Sequence, residues 1–74
     1  MPTGAESPED RFKRLATQRT NAVLEKLRIL GNLANRQVYK YTEDEIDRIF
    51  STIERQVKEI RASFHFPNEE KFRL

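Results

Sequence analysis

Few residues in this chain have side chains suited to chemistry, and most of those are hydrogen-bond donors. His65 is the single histidine and cysteine is absent, which excludes an imidazole cluster, a thiolate metal site and disulfides together. Glu43, Asp44, Glu45 and Asp47 crowd one short stretch instead of alternating as the ligands of a calcium loop do. No glycine-rich phosphate loop, His-Glu-x-x-His pair or nucleophile elbow occurs. The expectation is a non-enzyme with no catalytic residue, no metal, no cofactor and no small-molecule substrate. His65, set between Phe64 and Phe66, reads as packing at a helix end.

What remains is the chemistry of recognition. Arg11, Arg14, Gln18, Asn21, Arg28 and Asn32 fall on one side when turned by about 100° per residue, with Glu25 the one acid among them. These types contact phosphates and base edges, so they form a candidate nucleic-acid face. The net charge of +2 is uneven. Residues 1–40 carry eight Lys/Arg against four Asp/Glu, and residues 41–74 carry six against eight, giving +4 and −2. The first half is thus the better surface for a polyanion. Against that reading stand the small total charge and the lack of any helix-turn-helix, zinc-finger or ribbon pattern. Tyr39 and Tyr41 flank Lys40 near Arg36 and could stack on unpaired bases; the simpler role is to cover helix ends.

Such residues must be positioned by helices. Seventy-four residues make one domain at most, and a core this small seldom stabilises a fold without a disulfide, a metal or a second subunit. With the first two excluded, oligomerisation is expected. Residues 1–7 read as a flexible tail ending in a start signal. Ser7 can cap a helix, Pro8 suits its first position, and Glu9 and Asp10 favour the positive end of the helix dipole.

Helix one is expected over about 8–35. Its apolar side is broad, carrying Phe12, Leu15, Ala16, Ala22, Val23, Leu27, Leu30, Leu33 and Ala34, with Leu24 and Ile29 at the edges. A stripe of ~100° serves one neighbour, so a broader arc implies more than one. The candidate interface is Leu15, Arg19, Ala22, Leu24, Lys26, Ile29 and Leu33, where Arg19 and Lys26 either lay their stems over apolar surface or enter a buried interhelical ion pair. Gly31 marks either a close helix contact or an early end. Because Leu33 and Ala34 keep the helical phase, close contact is favoured, with Asn35 as a left-handed terminator and Arg36 at the negative helix end.

Residues 36–41 read as an extended connector. Thr42-Glu43-Asp44-Glu45 is a capping box, so helix two should run over about 42–65, with Ile46, Ile49, Phe50, Ile53, Val57, Ile60 and Phe64 as a narrow seam. Pro67 stops it, and residues 67–74 form a tail or one short helical turn. The fold class is all-α: an antiparallel hairpin of two long helices over 8–66, dimerising into a four-helix bundle.

Arg11 to Phe64 resembles a group of short uncharacterised prokaryotic proteins through Arg19-Thr20-Asn21, Leu30-Gly31-Asn32-Leu33-Ala34-Asn35-Arg36 and Tyr39-Lys40-Tyr41-Thr42-Glu43-Asp44-Glu45-Ile46. The resemblance implies a self-contained hairpin whose loop residues matter, and it carries no activity over. Within it Gly31, Asn32, Asn35, Arg36, Tyr39 and Tyr41 form a candidate recognition corner, where simple helix termination is the alternative role of such a cluster. No run of about 18 apolar residues is present, and the first residues lack the basic and apolar regions of a secretory signal. The expectation is a soluble cytoplasmic homodimer that binds another macromolecule, a protein first and nucleic acid as the alternative, in a regulatory or scaffolding role.

Overall fold

The computed structural model describes residues 5–64 and 66. They are all-helical: α1 spans Pro8–Gly31, one 3₁₀ turn follows at Asn32–Ala34, α2 spans Glu43–Ser63, and no strand occurs among the described residues. The chain divides between Lys40 and Tyr41 into two units.

In the first unit, α1 starts where its sequence signal lies. Ser7 has extended backbone, and its hydroxyl accepts the Asp10 N–H at 3.1 Å. The Ser7 carbonyl takes the Arg11 N–H at 2.9 Å. Pro8 occupies the first helical position, where its missing N–H leaves nothing unsatisfied.

The α-helix ends at Gly31 and the helical course continues as the 3₁₀ turn to Ala34, next to the expected end at about 35. There the Asn32 N–H donates to the carbonyls of Ile29 and Leu30, which gives two carbonyls at the helix end a partner. Gly31 is right-handed, at φ −63° and ψ −21°. A Cβ added to it would meet nothing within 4 Å. The close contact expected at Gly31 is therefore replaced by early termination: the weakest helix former of the segment sits where the α-helix gives way.

Asn35 is likewise not a left-handed terminator, for its φ is −70° and its ψ 103°. Its side chain organises a turn. Asn35 Oδ1 accepts the Gln37 N–H at 3.0 Å, and the Asn35 carbonyl accepts from Val38 at 3.2 Å and Tyr39 at 3.0 Å. Residues 36–38 are consequently a hydrogen-bonded turn and not extended chain. An Asn side chain imitates a backbone carbonyl at this spacing and so competes with both helix and strand.

In the second unit, the capping box forms as its sequence requires. The Glu45 N–H donates to Thr42 Oγ1 at 3.0 Å, while the Thr42 N–H and hydroxyl donate to Glu45 Oε1 at 2.8 and 3.2 Å. Thr42 is the cap and Glu43 the first helical residue. α2 ends at Ser63, two residues short of 65, and Phe64 closes it with an N–H to the Arg61 carbonyl at 3.1 Å. The tail over 1–4, His65, Pro67 and the expected turn within 67–74 lie outside the described residues. No helix among the described residues is long and apolar enough to cross a membrane.

Candidate functional site

The polar face of α1 holds five of its six expected members on the helix, with Asn32 opening the 3₁₀ turn, and all six are exposed. Two of its three arginines are already engaged. Arg14 grips Glu6 in a two-pronged pair, Nε to Oε2 at 2.9 Å and Nη2 to Oε1 at 2.8 Å. The hydrogen bonds from the guanidinium hold the Glu6 carboxyl below its ordinary value of 4.5 and raise Arg14 in return. One turn is enough for the second pair: Arg28 donates from Nε to Glu25 Oε1 at 3.2 Å and from Nη2 to Oε2. The Arg28 pKa is raised by that contact.

Surface pairs of this kind contribute little to stability. Their effect on recognition is larger. A phosphate reaching this face must displace a carboxylate at Arg14 and at Arg28, whereas Arg11 has no carboxylate partner among the described residues. Glu25 is visible in the sequence at i,i+3 from Arg28. Glu6 is a harder case, eight positions from Arg14 and before the helix start; the long reach of arginine back over the first turns brings them together.

The apolar surfaces are the second candidate. No described residue is buried. Of the interface expected on α1, Leu15 is half-buried, Ala22, Leu24, Ile29 and Leu33 are exposed, and Arg19 and Lys26 are exposed as well. Sequence spacing placed this interface on α1 alone, yet α2 presents as much. Ile46 and Ile53 are half-buried there, while Phe50, Val57, Ile60 and Phe64 are exposed at 43%, 57%, 48% and 61%. The signal for it is the regular spacing of these six, by four and then three residues.

The residues of the expected corner lie at the end of α1, in the turn after it and at the start of the second unit. Gly31 and Asn32 end a helix, and Asn35 builds the turn that carries Arg36 and the exposed Tyr39. Tyr41 is half-buried and belongs to the second unit. A hollow on α2, lined by Ile53, Glu54, Val57, Lys58 and Arg61, opens to solvent along one helix, which cannot shelter a small ligand from water. Among the described residues no three His, Cys, Asp or Glu side chains are grouped to hold a metal ion.

Comparison with family models, with curated proteins and with solved structures finds no match. The chemistry available to the described surface is thus that of its own side chains: two apolar stripes flanked by charge, and a donor-rich face partly neutralised by its own acids.

Proposed function

We propose that this chain is a non-enzymatic helical interaction module that self-associates and binds another macromolecule, a protein before a nucleic acid. One observation supports this reading above the others: large apolar side chains on both helices are exposed while no described residue is buried. Contiguous apolar surface of that kind marks interaction sites. Its removal from water stabilises an assembly by about 1.5–3 kcal/mol for each Val, Leu, Ile or Phe side chain fully covered.

The nucleic-acid reading ranks lower because Arg14 and Arg28 are paired with Glu6 and Glu25. A direct comparison separates the two. Labelled RNA and DNA should show no shift at moderate salt, and affinity capture with purified chain should retain a protein in an amount that falls when Val57 is replaced by aspartate. A salt-sensitive shift abolished by Arg14→Glu with Arg28→Glu would instead favour the nucleic acid, since phosphate contacts weaken steeply with salt.

A further inference from the structure

α2 carries a self-complementary seam. Ile46, Ile53 and Ile60 alternate with Phe50, Val57 and Phe64 at steps of four and three residues, a coiled-coil repeat sustained over about 27 Å. The first five lie in the helix and Phe64 is its C-cap. The geometry points to an antiparallel pairing of α2 with α2 of a second copy, about a two-fold axis at the level of Arg55.

In this register Ile46 faces Phe64 of the second copy, Phe50 faces Ile60, and Ile53 faces Val57. Each layer then sets a larger side chain against a smaller one, and the full seam is used. The flanks agree with it. Asp47 and Arg61, both exposed, stand at the same flanking position of the repeat and come opposite each other twice, once on either side of the axis, giving two attractive pairs. Glu54 meets its own copy beside the axis, a like-charge cost that the register also requires.

The alternatives fit less well. A parallel pair would stack Phe50 on Phe50 and Phe64 on Phe64, and would set Glu54 against Ile49 and Arg61 against Gln56, with no opposite charges joined. Pairing α1 with itself along Leu15, Arg19, Ala22, Lys26 and Ile29 would gather four cations in one interface with no acid in the stripe. The occupant of the α2 seam is accordingly a second copy of this chain. This register rests on the self-association proposed above and adds which helix mediates it.

The test uses the full chain, which has no cysteine of its own. Gln56 lies on the flank and beside the axis, so Gln56→Cys should link to its counterpart on mild oxidation. Ser63 occupies the same flank two repeats of seven away from its counterpart, about 21 Å along the axis, so Ser63→Cys should stay largely unlinked. Both are exposed positions, and circular dichroism checks that each variant keeps its helix content. Glu54→Gln should tighten association up to about twofold by removing the like-charge contact. A dimer in which Gln56→Cys links no faster than Ser63→Cys overturns the register while self-association stands. A chain that sediments as a monomer, with neither variant linking, overturns self-association itself.

Discussion

At the scale of single residues, structure in this chain is set by side chains that bond to nearby backbone. Ser7, Asn35 and Thr42 each satisfy N–H groups two or three positions on, and these contacts mark the start of α1, the turn after it and the start of α2. Thr42→Ala removes both hydroxyl bonds of the capping box and should cost about 1 kcal/mol of helix stability, read as a lower melting temperature at fixed chain concentration. A melting curve unchanged by the substitution would show that the box is incidental. Glu6 makes a second residue-scale prediction. Its carboxyl is held below 4.5 by the hydrogen bonds from Arg14, so the pair's contribution is present above that value and lost as pH falls through the lower folded one. An NMR titration should give Glu6 a midpoint below that in Arg14→Gln, and equal midpoints would remove the pair from solution.

At the scale of elements, the helix starts were legible in the sequence and the passage from α-helix to 3₁₀ turn at Gly31 was not. N-terminal signals are strong because the cap and its target are three residues apart and few residue types can serve. C-terminal signals are weaker: Gly31, Asn32 and Asn35 are all plausible stops, and the continuing apolar phase at Leu33 and Ala34 argues for a longer helix than the one formed. The 3₁₀ turn satisfies both, ending the α-helix at Gly31 while leaving Leu33 and Ala34 in a helical turn. Because Gly31 is right-handed and a Cβ there meets open space, Gly31→Ala should stabilise α1 by about 0.5–1 kcal/mol through the entropy of the unfolded chain. Thermal unfolding would register this as a higher midpoint. A lower midpoint would place Gly31 in a tight contact after all, made only in an assembly.

The candidate site was legible in kind and less so in place. The donor-rich face of α1 follows from spacing alone, but its neutralisation by Glu6 depends on a contact across eight positions that no periodicity reveals. The apolar surplus was read from the breadth of the α1 arc and the α2 seam from its spacing, while the exposure of Phe50, Val57, Ile60 and Phe64 came from the structure. Residue type and phase predict which side of a helix is apolar. They do not predict which apolar side is left uncovered, because that is settled by long-range packing.

At the scale of the whole molecule, helices of 24 and 21 residues usually owe their stability in proteins to the burial of an amphipathic face, and no described residue is classed as buried. Without cysteine the chain has no disulfide to compensate. On the self-association proposed above, a second copy would supply that burial, and stability should then rise with chain concentration by mass action. Sedimentation equilibrium over a wide concentration range tests this most directly. Self-association predicts a mass of twice the 8.8 kDa of one chain, falling toward 8.8 kDa only on strong dilution and losing helix content as it does. A mass of 8.8 kDa at every concentration, with sharp cooperative unfolding, would contradict it.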